Sequence, residues 1–159
     1  MSVQSPPFYK NSSQEPFRIT IVASRYNPTF VDSLVEETQK EIAFLAPNAV
    51  VQLVRVPGSF EIPLTVKLVA ERQEPDAIIA LGVIIRGKTA HADLIADAIG
   101  QQLLTLSLHY SVPVIHEVLL LDNEEQATER CLGKAMNRGA EAGRTALAMI
   151  HVAEAIQPF

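Results

Sequence analysis

The sequence predicts an α/β fold in which a parallel sheet is covered by helices on both faces. Apolar segments of strand length alternate with longer segments whose apolar residues recur at helical spacing. Residues 76–82 form a nearly continuous apolar run, which is typical of a parallel strand buried on both sides. A chain of 159 residues, 48% of them hydrophobic, is enough for one such domain.

The first unit follows a polar, proline-containing tail, residues 1–16, which is expected to form no core of its own. Residues 17–23 are predicted to form the first strand. Asn27 and Pro28 then open a helix, with the asparagine as cap and the proline in the first turn. Pro47 ends this unit.

The later units repeat the alternation and finish with two helices. Asp122 and Glu125 have the spacing of a capping box, which predicts a helix continuing to about Ala135. The other predicted elements are a strand at 49–56, a helix from about 60 to 72, a strand at 76–82, a helix from about 90 to 110, a strand at 112–119 and a final helix at 140–156.

Ligands of parallel sheets bind beyond the carboxyl ends of the strands, so the loops at that edge are the first candidates for a site. In this chain those loops are predicted at 24–27, 57–61, 83–90 and 116–122.

Composition excludes several function classes. The chain has 13 basic and 18 acidic residues, a net charge of -5, which argues against general nucleic-acid binding but leaves room for a local basic pocket. Its single cysteine, Cys131, cannot form an intramolecular disulfide, which fits a reducing cytoplasm. We see no apolar run long enough for a membrane span and no secretory signal. No His, Cys or Asp spacing predicts a metal site.

Aromatic and acidic residues follow the first two predicted strands. Pro57 and Gly58 end the second strand and place Phe60 and Glu61 at the carboxyl edge, where a ring can stack on a flat ligand and a carboxylate can pair with its polar groups. Tyr26 follows the first strand, and is either a surface aromatic at a helix start or a stacking platform for a heterocycle.

Basic residues and a histidine mark the start of the long helix. Residues 86–89, Arg-Gly-Lys-Thr, either bind a phosphate at the helix N-terminus or simply begin the helix with a solvated arginine and lysine. His91 is either a proton-transfer group or a structural histidine. Arg130 and Arg138, near the last helix break, are either exposed charges or functional cations.

Taken together, these segments resemble the lumazine synthase family. The resemblance covers roughly residues 17–156, and its motifs stand in the family's order with matching separations. They are Tyr26-Asn27, VPGSFEIP at 56–63, GVIIRGKTAHAD at 82–93, VPVI at 112–115, EQA and ER at 125–130, and NRGAEA at 137–142.

The resemblance implies a flavodoxin-like three-layer sandwich with a four-stranded parallel sheet, formed by residues 17–159. It implies condensation of 5-amino-6-(D-ribitylamino)uracil with 3,4-dihydroxy-2-butanone 4-phosphate into 6,7-dimethyl-8-ribityllumazine, phosphate and water, without a cofactor. It also implies a homo-oligomer, in which sites form between neighbouring subunits of a pentamer, and riboflavin synthase as a candidate partner. The short form of residues 130–139 favours an icosahedral shell of pentamers over free pentamers.

Residue roles also follow from the resemblance. Tyr26 would cover the pyrimidine, and Glu61 would accept hydrogen bonds from ribityl hydroxyls. Arg130, reaching in from the neighbouring subunit, would bind the phosphate. His91 is the implied catalytic residue and would move protons. The residues implied in substrate binding are Tyr26, Ser59, Phe60, Glu61, Val83, Ile84, Lys88, Thr89, His116, Arg130 and Arg138.

The chain departs from the family pattern at two places. His116 and Glu117 stand where the family has Phe-Gly, and Ala92 stands where an aromatic residue usually follows the histidine. The first change adds charge and a titratable group beside a predicted anion site. A weakly active shell-forming or flavin-binding homologue is therefore the alternative to an active synthase.

Overall fold

Parallel strands form one sheet in the order β2-β1-β3-β4 in the computed structural model, which describes residues 15–135 and 137–156. The strands are β1 (Arg18–Ser24), β2 (Val50–Val56), β3 (Ala77–Ile85) and β4 (Val114–Leu121). The helices are α1 (Pro28–Leu45), α2 (Ile62–Gln73), α3 (His91–Tyr110), α4 (Glu124–Ala127) and α5 (Arg138–Ala155). The flavodoxin-like α/β prediction is confirmed, while most of the predicted tail, 1–16, lies outside the described residues.

Helices cover both faces of the sheet because successive side chains of each strand point to opposite sides. Ile19, Ile21 and Ile79 pack with α1 and α5 in one buried cluster. Val22 and Ile78 pack with α2 and α3 in the other. The central strands β1 and β3 are thus buried on both sides, as the continuous apolar run at 76–82 predicted.

Two of the predicted strand ends were wrong in a way that matters for the site. Strand β3 continues to Ile85 instead of ending at Gly82, and β4 continues to Leu121, two residues beyond its predicted end at 119. The cause is the ladder between these strands, which runs without a break from the Ile78–Val114 pair to the Ile85–Leu121 pair. Apolar residues at the ends of both strands make this extension favourable.

The predicted helix from Asp122 to about Ala135 is present, but it is shorter and changes type within its length. Asn123 caps a helix of only four residues, its side chain accepting the backbone N–H of Gln126 at 2.9 Å. A π-helical turn, Thr128–Leu132, follows and ends at Gly133. A Cβ on Gly133 would lie 2.3 Å from the Glu129 carbonyl oxygen, so this close approach of backbone requires glycine.

Helix α5 begins earlier than predicted because Asn137 caps it. Its side-chain oxygen accepts the backbone N–H groups of Gly139 and Ala140, and its Nδ2 donates to the Cys131 carbonyl at 2.8 Å. Arg138 is therefore the first residue of α5 and is held near the π-helical turn. None of the helices in the described part of the chain is long and apolar enough to cross a membrane.

Close packing of α1 against α5 depends on Gly139. A Cβ at this position would lie 2.4 Å from the carbonyl oxygen of Leu34 and 2.9 Å from its Cα, which are rigid helix atoms. The Thr38 hydroxyl also lies within hydrogen-bond distance of the Leu34 and Gly139 carbonyl oxygens. The two helices therefore contact each other backbone to backbone.

We expect Gly139→Ala to lower the free energy of unfolding by about 1–3 kcal/mol, because the helices must separate to admit a methyl group. Urea denaturation would measure the change. Gly87→Ala is the matched control, since no atom lies within 4 Å of a Cβ built at Gly87. Equal stability of the Gly139 variant and the wild type would show that α1 and α5 accommodate the methyl group.

Candidate active site

Strand β3 extends beyond its neighbour β1 at the carboxyl edge of the sheet. Its pairing with β1 ends at Leu81, whereas its pairing with β4 continues to Ile85. The last four residues of β3 therefore leave one backbone edge without a strand partner. Such an edge offers N–H and C=O groups to a planar ligand with alternating donors and acceptors.

A cleft of about 320 Å³ lies against this free edge, and we call it the first cleft. Residues at or beside the β1–α1, β2–α2 and β3–α3 connections line it, as the topology of parallel sheets predicts. Its lining residues are Tyr26, Asn27, Gly58, Ser59, Phe60, Glu61, Val83, Ile84, Ile85 and Ile95.

Asn27 fixes one wall of the first cleft. It adopts a left-handed conformation (φ 52°), and its Nδ2 donates to the Val83 carbonyl at 2.8 Å instead of capping α1. Asn27 is the N-cap residue of α1, as predicted, and its backbone carbonyl accepts the N–H groups of Phe30 and Val31, but its side chain makes no capping bond. Its side chain ties the loop after β1 to β3 and so positions Tyr26 beside the free edge.

Gly58 brings the Tyr26 ring and the Glu61 carboxylate together in the first cleft. A Cβ there would lie 2.9 Å from Oε2 of Glu61 and 3.3 Å from the Tyr26 ring, so both groups pack against the bare Cα. The turn Ser59–Glu61 is a short 3-10 helix that turns Phe60 outward. Tyr26 and Phe60 are 71% and 63% exposed, so both rings are available to stack on a ligand.

The start of α3 forms the rim of the first cleft. His91 is the first residue of α3 and is exposed. It lies four residues before Ile95, which lines the cleft, and residues at this spacing share one helix face. Lys88 and Thr89, in the turn before α3, are exposed as well.

Arg86 is held by carboxylates and is not a solvated cation. It donates to Asp93 in the first turn of α3 at 2.8 Å and also to Asp122 after β4. The bonds from Arg86 lower the pKa of both carboxyl groups. Arg86 therefore fixes the N-terminus of α3, and hence His91, relative to the end of β4.

A second cleft, of about 460 Å³, opens beside β4. Arg130, in the π-helical turn, faces this cleft and makes no hydrogen bond or ion pair with the residues that the structure describes. The residues lining the second cleft are His116, Glu117, Val118, Leu119, Leu120, Leu121, Arg130 and Arg138.

A buried ion pair lies in the wall of the second cleft. Glu117 is 6% exposed and accepts two hydrogen bonds from Arg138, both at 3.0 Å. A third bond joins Arg138 to Glu141 at 2.5 Å. Burial raises the pKa of Glu117 to about 7, although the charge of Arg138 opposes this effect.

His116 points to the other face of β4. A Cβ on Gly100 of α3 would lie 3.3 Å from its Nε2, and its Nδ1 accepts the Val118 N–H at 3.1 Å. The ring is exposed on its outer side, and partial burial lowers its pKa. Part of His116 nevertheless lines the second cleft.

The predicted site residues thus lie in or beside two different clefts. Those in the first cleft or at its rim are Tyr26, Ser59, Phe60, Glu61, Val83, Ile84, Lys88, Thr89 and His91. Those in the second are His116, Arg130 and Arg138. No sequence pattern pointed to the Glu117–Arg138 pair, whereas helical spacing from His91 could have identified Ile95. Within the described residues, no three His, Cys, Asp or Glu side chains are grouped to hold a metal.

These features define a class of protein: a flavodoxin-like α/β protein with a cleft lined by aromatic and acidic residues at the free edge of its sheet and with exposed cations nearby. Comparison with known sequences gives the family. The sequence profile of 6,7-dimethyl-8-ribityllumazine synthase matches residues 16–154, and the chain belongs to this family.

Two curated relatives show how closely the chain resembles the family. The 6,7-dimethyl-8-ribityllumazine synthase of Edwardsiella ictaluri is 41% identical over 143 residues, covering 88% of this chain and 91% of that protein. The enzyme of the same name from Thermus thermophilus is 39% identical over 140 residues, covering 87% and 89%. The family assignment confirms the resemblance predicted from the motifs.

Proposed function

We propose that this protein is an active 6,7-dimethyl-8-ribityllumazine synthase of the cytoplasm. It condenses 5-amino-6-(D-ribitylamino)uracil with 3,4-dihydroxy-2-butanone 4-phosphate and releases phosphate and water. The observation that carries the proposal is the meeting of Tyr26 and Glu61 at Gly58, beside the free edge of β3, in a member of this family.

The first cleft holds the ribitylaminouracil in this proposal. The uracil ring lies between the exposed rings of Tyr26 and Phe60, and its polar edge pairs with backbone groups of Val83 and Ile84. Glu61 accepts hydrogen bonds from ribityl hydroxyl groups, for which a carboxylate is a strong acceptor. The geometry of the cleft supports this placement because all these groups line one cavity.

Proton transfer falls to His91. Imine formation, phosphate elimination and ring closure each move protons to or from nitrogen and oxygen atoms, and an imidazole does this efficiently near neutral pH. Its position one turn before Ile95 supports the role, because it lies at the rim of the cleft that would hold the amine.

The phosphate group requires cations. Lys88 and Thr89 lie at the N-terminus of α3, where backbone N–H groups and the helix dipole favour an anion. Arg130 is a further candidate ligand, but it lies in the second cleft of the same chain. We infer that Arg130 completes the first cleft of a neighbouring subunit.

A ring of subunits satisfies this requirement, and we propose a pentamer, which can in turn build an icosahedral shell. Large apolar side chains on α3 support an assembly surface: Leu94, Leu104 and Leu108 are 68%, 63% and 73% exposed. Exposed apolar side chains grouped on one helix are typical of protein contacts. The second cleft of each subunit then faces the first cleft of the next.

The purified protein should form dimethylribityllumazine and release phosphate from the two substrates without added metal or nucleotide. Absorbance and fluorescence of the product would follow the reaction, with EDTA present. The uncatalysed reaction without protein is the control. A rate no higher than this background, with both substrates saturating, would favour the weakly active or flavin-binding alternative.

Arg130→Ala should raise the dissociation constant of the phosphate substrate roughly ten- to hundredfold, since a charge-assisted hydrogen bond is worth about 1.5–3 kcal/mol. Binding of ribitylaminouracil should change little. Initial rates with each substrate varied in turn measure both constants. Arg72→Ala, an exposed arginine in the last turn of α2, is the control. Equal effects on both substrates would reject Arg130 as the phosphate ligand.

The shared site predicts complementation between two impaired variants, assayed at a low concentration of the phosphate substrate. Co-expression of His91→Ala with Arg130→Ala should restore about a quarter of wild-type activity. When the two chains mix at random in a head-to-tail ring, about a quarter of the sites combine an intact His91 with an intact Arg130 from the neighbouring chain. Differently tagged chains allow mixed oligomers to be purified and assayed. A mixture no more active than the two variants assayed separately would place both residues in a site formed by one chain.

A further inference from the structure

All three nitrogen positions of the Arg138 guanidinium are engaged by carboxylates. Nε and Nη2 donate to the two oxygens of Glu117, and Nη1 donates to Glu141. Glu117 reaches Arg138 from β4, across 21 residues of sequence, and Glu141 lies one turn further along α5. The side chains of Arg138 and Glu117 are only 21% and 8% exposed.

The two carboxylates of this cluster more than offset the charge of Arg138. Two carboxylates surround one guanidinium, so the trio carries a net charge of -1 when all groups are ionised. Arg130 brings the sum to zero. Arg138 alone therefore adds no positive field for an anion, although its guanidinium keeps further N–H groups that can donate hydrogen bonds.

We propose that Glu117 is a positioning residue that neutralises Arg138 and so leaves Arg130 as the cation that determines phosphate affinity. The inference rests on the proposed function, because it assumes that the second cleft receives the phosphate of the substrate and product. Glu117 acts through Arg138 and does not touch the ligand. Its effect is to lower the affinity of the site for phosphate, which is both a substrate group and a product.

Burial supports this role. A buried guanidinium held by two hydrogen bonds to one carboxylate has a fixed position, whereas a single exposed pair would allow it to swing toward an anion. Burial, together with the negative charge of Glu117, also raises the pKa of Cys131 to about 12. Since the pKa of Glu117 is about 7, measurements at pH 8 examine the ionised cluster.

The test measures inhibition by inorganic phosphate, and its binding by calorimetry, at pH 8 with the assembled protein. Glu117→Gln should lower the inhibition constant and the dissociation constant of phosphate about tenfold, because it removes one nearby negative charge in a partly buried site. The KM for ribitylaminouracil should stay unchanged. The double variant Glu117→Gln with Arg138→Gln should return both phosphate constants to near the wild-type values, since the net charge is again that of the wild type.

Glu41→Gln is the control variant. It breaks a partly buried pair with Arg144 between α1 and α5, outside both clefts, and should leave phosphate binding unchanged. If Glu117→Gln does not assemble, Glu141→Gln tests the same charge effect and should tighten phosphate binding by a smaller factor.

Unchanged or weaker phosphate binding in the assembled Glu117→Gln protein would overturn the proposal, and so would a double variant that stays tighter than wild type. If Glu117→Gln does not assemble, unchanged or weaker phosphate binding in Glu141→Gln would also overturn the proposal. Failure of the proposed function is separate: the wild type would then make no lumazine above background, whatever its phosphate affinity.

Discussion

The unequal pairing of β3 with its two neighbours is the constraint on which the site depends. A parallel strand that continued to pair with β1 as far as it pairs with β4 would have no free backbone groups at its end. Because β1 turns into α1 at Asn27, β3 leaves an edge against which the aromatic and acidic residues are arranged. The apolar sheet below is rigid, so this edge has a fixed geometry.

The loops after β1 and β2 supply the side chains that the free edge lacks. Asn27 bonds to β3, and Gly58 admits the Tyr26 ring and the Glu61 carboxylate to the same place. Lys88 lies at the start of α3, at the rim of this cleft, whereas Arg130 lies beside β4 in the second cleft. The proposed role of Arg130 therefore requires a site shared between subunits, because one chain does not bring this arginine to the first cleft.

Sequence patterns predicted the layers of the fold and most of the first cleft, because each of those features is local. Alternation of segments identifies strands and helices, and Pro57-Gly58 marks a turn wherever it occurs. The patterns did not predict that β4 reaches Leu121 or that the helix after it becomes π-helical and ends at Leu132, since strand pairing and the Gly133 contact decide these points. Nor could they pair Glu117 with Arg138, because a contact between β4 and α5 has no periodicity.

The bridge formed by Arg86 has a consequence for the effect of salt. Asp93 and Asp122, which this arginine holds, are both about half exposed, and ion pairs in such positions weaken as ionic strength rises. The Glu117–Arg138 pair beside β4 is largely buried, so the same ions screen it much less. Ionic strength therefore acts selectively on the place where α3 begins, and the orientation of His91 depends on the electrolyte around the protein even where the fold does not.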